Sequence, residues 1–181
     1  MADKRQLMIA VFANETAATE AAKFLRRWDR ITEDVDGRKY GGIGVLTADE
    51  DGEIKVRRVG RRDTGMGVGW GLAIGLLTGG AAGLPLLGGA AAGALLGGVG
   101  GGLIHKSLGM TPEELKHLSD QLCAGSAAVA IVVHESEGPA VSVQLAELGG
   151  QLEVHECSLE HLKEAAKSVG APPETEWLEE D

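Results

Sequence analysis

The chain has 181 residues, a net charge of −10 and 28 glycines, with only 3% aromatic residues. This length supports one domain with a real core, or a small domain carrying an inserted element. The acidic balance argues against nucleic acid as a partner, since phosphate binding needs a concentrated basic surface. Two cysteines, Cys123 and Cys157, lack the spacing of a disulfide framework and fit a reducing cytoplasm.

The first part of the chain predicts the order strand, helix, strand, strand. Gln6–Ala13 is a short apolar run, which indicates a buried first strand rather than a signal peptide. Asn14 can cap a helix over Glu15–Arg30. Arg38–Leu46 and Glu53–Val59 predict a strand hairpin. The predicted apolar face of the helix comprises Ala17, Ala21, Phe24, Leu25 and Trp28.

A long uncharged segment follows, Thr64–Ile104, which we call the glycine block; it holds 16 of the 28 glycines. Leu84-Pro85 divides it into two arms of roughly 18 residues, each about 27 Å long as a helix. Glycine recurs at every fourth position in both arms, and such rows let two helices approach closely. The glycines predicted to pack in the oligomer are Gly67, Gly71, Gly75, Gly79, Gly83, Gly89, Gly93, Gly97 and Gly101.

The surroundings of this predicted glycine-zipper hairpin have two interpretations. A flexible linker is disfavoured, because the block is rich in leucine and has no charge. The second arm, Leu86–Ile104, holds eight glycines and four alanines, so its own insertion into lipid is weak. Association of many arms is therefore the firmer prediction. The hairpins lie either in a membrane or in the packed core of a soluble oligomer.

Basic residues at both ends of the glycine block favour the membrane. Such flanks are expected of a hairpin that enters lipid from the cytoplasm, and they can contact anionic headgroups. A solvated strand edge that discourages aggregation is the alternative. The residues predicted to be lipid-facing or membrane-proximal are Arg57, Arg58, Arg61, Arg62, Trp70 and Lys106.

The second half of the chain begins with a strong helix signal. Thr111 can cap the helix, Pro112 suits its first position, and Glu114 completes a capping box. The helix is expected to end near Ala124. The later predicted elements are the strand Ala127–Glu135, buried on both faces, the helix Pro139–Leu148, the strand Gln151–Cys157 and a helix over Ser158–Val169.

Together these elements predict an α+β fold, a ferredoxin-like split β-α-β sandwich interrupted by the glycine-zipper hairpin. The predicted organisation is residues 1–63 and 107–170 as two halves of the α+β domain, 64–106 as the hairpin and 171–181 as an acidic disordered tail. Residues 151–181 carry a net charge of −7, from nine acidic and two basic side chains.

Three features resemble a bacterial family described only as predicted membrane proteins of unknown function. They are the block Gly65–Gly102, the helix Thr111–Leu122 and the strand Ala127–His134. The resemblance extends over about Gln6–Cys157. It implies a ferredoxin-like domain with an inserted glycine-rich hairpin and membrane association, and it implies no activity. The tail after Pro172 lies outside it.

The remaining motifs do not predict chemistry. The glycine-rich loops lack the Gly-Lys-Ser/Thr ending of a phosphate loop. His134, His155 and Cys157 would meet if their strands paired, and a soft metal would accept them, but ordinary strand residues are the favoured interpretation. Cys123 closes an apolar helix face and is expected to be buried. In the tail, Trp177 and Leu178 are either a docking motif for a basic protein partner or part of a solvated tail.

The sequence therefore predicts a non-enzymatic, membrane-associated oligomeric scaffold on the cytoplasmic face of the cell membrane. No catalytic residue, metal or cofactor is predicted. The alternative is a soluble cytoplasmic oligomer whose hairpins enclose a lipid or quinone for a partner enzyme. The expected partners are other copies of the chain, membrane lipid and a protein bound by the acidic tail, with no nucleic acid.

Overall fold

The computed structural model describes residues 4–36, 42–50, 54–59, 73, 107–158, 160–161 and 163–164. In this part of the chain, three helices pack on one five-stranded sheet, so the predicted α+β class is confirmed. The elements in chain order are β1 (Lys4–Phe12), α1 (Glu15–Asp36), β2 (Ile43–Ala48), β3 (Ile54–Val59), α2 (Pro112–Cys123), β4 (Ala127–His134), α3 (Gly138–Glu147) and β5 (Gln151–Ser158).

The strand order of the sheet is β3-β2-β4-β1-β5, and every neighbouring pair is antiparallel. It follows that β1 runs parallel to β2 with β4 between them, while β4 runs parallel to β5 with β1 between them. Helix α1 connects the first of these parallel pairs and α3 connects the second. The sheet is thus built from two interleaved β-α-β units, extended at one edge by β3.

Both faces of the sheet are covered. Leucines of α2 pack with Leu7 and Ile9 of β1 in one core cluster, which we call the α2 face. Met8 and Ala10, on the other side of β1, pack with α1 and α3. Alternate residues of a strand point to opposite faces, so a central strand between two helical layers must be apolar throughout. Strand β4 is buried from Ala127 to Val133, which confirms the predicted burial on both faces.

The two predicted helix starts are confirmed. Thr111 Oγ1 accepts the backbone N–H of Glu114 at 3.2 Å, and the Glu114 carboxylate accepts the N–H of Thr111 at 2.7 Å. The hydrogen bond from the Thr111 backbone holds the pKa of Glu114 below its usual value. At the start of α1, Asn14 Oδ1 accepts the N–H of Ala17 at 2.9 Å. These short-range contacts fix where each helix begins.

Helix α1 differs from its prediction in length and at one residue of its apolar face. It continues to Asp36, beyond the expected end at Arg30. Phe24, expected on the apolar face, is 37% exposed. The other four predicted residues pack on the core, namely Ala17, Ala21, Leu25 and Trp28. The alanines of this face let the helix lie close to the strands. The fully or almost fully buried residues of this face are Ala18, Ala21, Ala22 and Leu25.

Candidate functional site

Strand β3 places two of the predicted membrane-proximal residues at an edge of the sheet. Arg57 Nη2 donates to Thr19 Oγ1 at 2.6 Å and lies 3.1 Å from Glu15 Oε1, so its side chain is held along α1. Arg58 is exposed on the opposite face of the strand. The other predicted positions, Arg61, Arg62, Trp70 and Lys106, lie outside the described residues, as do Trp177 and Leu178 of the tail.

Ala73 is the single described residue of the glycine block. It is helical and fully buried, and it belongs to the core cluster of the α2 face together with Leu7 and Leu46. At this point the first predicted arm therefore packs on the α+β domain. All nine glycines predicted to pack in the oligomer lie outside the described residues.

The chain re-enters the described region beside β5. Ser107, Leu108 and Met110 are buried at 3%, 0% and 2% exposure. Between them, Gly109 has a φ of +67° and lies so close to β5 that a β carbon would collide with the carbonyl oxygen of Glu156. A side chain at this position would meet both backbone strain and a rigid obstacle. Gly109 therefore permits a backbone-to-backbone contact that fixes the chain on β5.

The two points where residues 60–106 join the domain lie toward the same end of the sheet but at opposite edges. Val59 ends β3 and lies in one row across the five strands with Val154 of β5. Gly109 contacts Glu156, two residues beyond Val154. Four strand spacings separate β3 from β5, which is about 19 Å. The domain thus holds the segment that contains the glycine block at two separated positions.

A polar cluster lies where α2 covers β5. His155 Nε2 lies 3.6 Å from Glu153 Oε2, and Glu153 Oε1 lies 4.0 Å from His117 Nδ1 of α2. His155 is only 6% exposed. Glu153 Oε2 and His155 Nε2 are both buried without a hydrogen-bond partner among the described residues. The 3.6 Å between them is longer than a hydrogen bond.

This cluster was not predicted. Strand alternation places Glu153 on the same side of β5 as His155. His117, however, belongs to a helix distant in sequence, and no local pattern indicates that α2 crosses this strand.

The strand pairing that would bring His134 to His155 and Cys157 does not occur. Strands β4 and β5 both pair with β1, so Arg5 stands between His134 and Cys157 in the sheet. His155 and Cys157 do share a face of β5, and both are buried. His134 Nδ1 instead lies 2.9 Å from Ser136 Oγ. Among the described residues, no three histidine, cysteine or acidic side chains are grouped to bind a metal ion.

The two cysteines have opposite environments. Cys123, expected to be buried, is exposed. Helix α2 buries Leu118 and Leu122, and the next residue points about 100° away from that face. Cys157 is buried, and burial raises the pKa of its thiol to about 11, against the lowering influence of Arg5. Cys157 therefore stays a protonated, unreactive thiol at neutral pH.

Thiol titration is expected to detect one fast cysteine in the native protein. An aromatic disulfide reagent at pH 8 should modify Cys123 quickly and Cys157 only after denaturation, because the thiolate is the reacting form. The Cys123→Ser variant should lose the fast phase and react only after denaturation. Two fast thiols in the native protein would contradict the buried position of Cys157.

Comparison with known proteins identifies a family and no activity. No curated protein and no solved structure matches the chain. In the part of the chain that the structure describes, no helix has the length and apolar character needed to cross a membrane. A family model described as "Protein of unknown function (DUF1269)" matches residues 66–167, which is more than half of the 181 residues. The chain therefore belongs to the DUF1269 family of proteins of unknown function.

Proposed function

We propose that the protein is a non-enzymatic scaffold that oligomerises through its glycine block at the cytoplasmic face of the cell membrane. The observation that carries this proposal is the uncharged block between residues 64 and 104, flanked by Arg57 and Arg58 on one side and by the contact of Gly109 with β5 on the other. Lipid or neighbouring copies would bury its apolar surface, since an apolar segment of this size is rarely left in water.

We also infer that the α+β domain is a ferredoxin-like fold with two additions. The support is the pair of interleaved units β1-α1-β2 and β4-α3-β5, each of which joins parallel strands separated by one antiparallel strand. In this interpretation α3, not α2, is the second helix of the split β-α-β unit. Strand β3, the glycine block and α2 are then one continuous addition, and α2 covers the face that a two-layer sandwich leaves open.

Cell fractionation tests the proposed function. At native expression the protein is expected in the membrane pellet and to need detergent for release. Gly75→Leu and Gly93→Leu, which would fill the predicted grooves, should reduce the size of the detergent-solubilised assembly in chromatography. Recovery of the wild-type protein in the supernatant without detergent would overturn the membrane assignment, and an unchanged assembly size would contradict the zipper.

One observation favours the alternative, a soluble oligomer whose hairpins enclose a lipid or quinone. Ala73 is fully buried against the α2 face, so the first arm has a partner within its own domain at that residue. An arm that packs on a soluble domain can line an interior apolar chamber. Extraction of the purified oligomer followed by mass spectrometry would detect such a molecule in stoichiometric amount, and an empty oligomer would exclude this alternative.

A further inference from the structure

A groove of about 400 Å³ lies between α1 and the end of β3. It is lined by Glu20, Lys23, Arg26, Arg27 and Val59. Three of these five residues are basic and one is acidic, in a chain whose overall charge is −10. The lining of the groove therefore carries a net charge of +2 on a strongly acidic protein.

The three basic residues of the groove have different surroundings. Arg26 is bound to Asp29, with Nη1 2.7 Å from Oδ2, and Asp29 is 1% exposed, so this pair is structural. Lys23 Nζ lies 2.9 Å from Glu20 Oε1, and both side chains are more than half exposed. Exposed pairs of this kind contribute little to stability and exchange readily with other partners. Lys23 is therefore available to an anion in the groove.

Arg27 is one helical turn beyond Lys23. Residues four apart on a helix are neighbours, about 5–6 Å between their β carbons, so one phosphate group can contact both side chains. Arg27 is exposed. The pKa of Glu20 is lowered chiefly by the hydrogen bond from Lys23 and to a smaller extent by the charge of Arg27. Arginine and lysine together provide the forked donor and the point charge that phosphate recognition uses.

The groove also adjoins the end of β3, which precedes the glycine block in the sequence. Val59, which lines it, is the last residue of β3, and the block begins five residues later at Thr64. Arg57, two residues before Val59, lies along α1 through its contacts with Glu15 and Thr19. Basic residues of α1 and of β3, distant in sequence, are therefore brought together beside one attachment of the block.

We propose that this groove binds the phosphate of an anionic lipid headgroup, with Lys23 and Arg27 as its ligands. The proposal rests on the proposed membrane association and adds to it the surface of the domain that faces the lipid. Arg57 would contribute from the strand side. The negative charge of Glu20 repels the anion and so lowers the affinity of the groove for it. Removal of this charge should therefore strengthen binding.

Vesicle sedimentation of the full-length protein tests the proposal. Neutral phosphatidylcholine vesicles are compared with vesicles that contain 30% phosphatidylglycerol, at low and at physiological salt. We expect tighter binding to the anionic vesicles and about a fivefold loss of that preference for each charge removed, hence about 25-fold in Lys23→Gln/Arg27→Gln. Glu20→Gln should act in the opposite direction and raise the preference by up to about fivefold.

A double variant with the same change in charge serves as the control. Lys55→Gln/Lys116→Gln removes two exposed lysines that do not line the groove, one at the far end of β3 and one on α2. If both double variants lose the same preference for anionic vesicles, net charge alone explains the preference and the proposed site is overturned. If deletion of residues 172–181 strengthens binding to the anionic vesicles and Lys23→Gln/Arg27→Gln abolishes that gain, the acidic tail competes with lipid for the groove, which supports the site.

The same experiment separates this proposal from the proposed function. If wild-type protein binds neither type of vesicle, the membrane assignment fails and the groove fails with it. If it binds neutral and anionic vesicles equally and Lys23→Gln/Arg27→Gln changes nothing, the glycine block alone accounts for membrane binding. In that case only the headgroup site is overturned.

Discussion

Replacement of Gly109 by alanine is expected to destabilise the domain by roughly 3 kcal/mol or more. Alanine at a φ of +67° costs about 1–2 kcal/mol in backbone conformation alone. Its β carbon would also collide with the carbonyl oxygen of Glu156, which belongs to the β5 backbone and cannot rotate away. The chain between the glycine block and α2 would have to move off the strand. A urea titration that follows circular dichroism would measure the loss.

Gly125→Ala is the matched control for Gly109→Ala. Gly125 also has a positive φ, +95°, but a β carbon there would meet no atom within 4 Å. This variant should show only the backbone cost, about 1–2 kcal/mol. The difference between the two variants then isolates the contact with β5. If both lose the same stability, the close approach of Gly109 to Glu156 does not contribute, and the proposed fixed attachment is wrong.

The second large effect is expected from Leu118→Ala in α2. Leu118 is 2% exposed and lies between Leu115 and Leu122 in the core cluster of the α2 face. Truncation of a buried leucine removes apolar burial and leaves a cavity, which together cost about 2–5 kcal/mol. The variant should therefore shift the urea midpoint strongly. It should also accelerate hydrogen exchange of the β4 amides that α2 covers.

Lys116→Ala provides the comparison within the same helix. Its side chain is 69% exposed and forms an i,i+4 ion pair with Asp120, a contact of a few tenths of a kcal/mol. The expected change in the free energy of unfolding is within about 0.5 kcal/mol. A small effect of Leu118→Ala, similar to that of Lys116→Ala, would contradict the position of α2 as the second covering layer of the sheet.

Sequence reasoning succeeded wherever the determining contacts are short-range. The capping box of α2 involves Thr111 and Glu114, three residues apart, and it is present in full. The apolar run of β4 required two covered faces, and the structure covers both. In each case the residue types define the physical requirement without reference to distant parts of the chain.

Contacts between elements that are distant in sequence could not be predicted. Periodicity indicates that a strand has two faces but not which helix lies on each, so the contact of His117 with Glu153 could not be anticipated. Strand order was equally hidden, so the sequence left open whether the strands of His134 and Cys157 pair. In the structure, Arg5 lies between them. The groove formed by α1 and Val59 was hidden for the same reason, because its residues are distant in sequence and meet only in the folded domain.

The wide separation of the two attachments has a consequence for any attempt to excise the glycine block. A direct junction from Val59 to Ser107 cannot form, because the chain must cross the sheet from β3 to the neighbourhood of β5. At about 3.3 Å per residue, a bridge over about 19 Å needs at least six residues, and more to pass around side chains. A shortened protein of this kind would also lose Ala73 and leave a gap in the core of the α2 face. The domain and its glycine-rich segment are therefore not freely separable modules. A segment exchanged from a relative would have to supply a residue that fits the core at the position of Ala73.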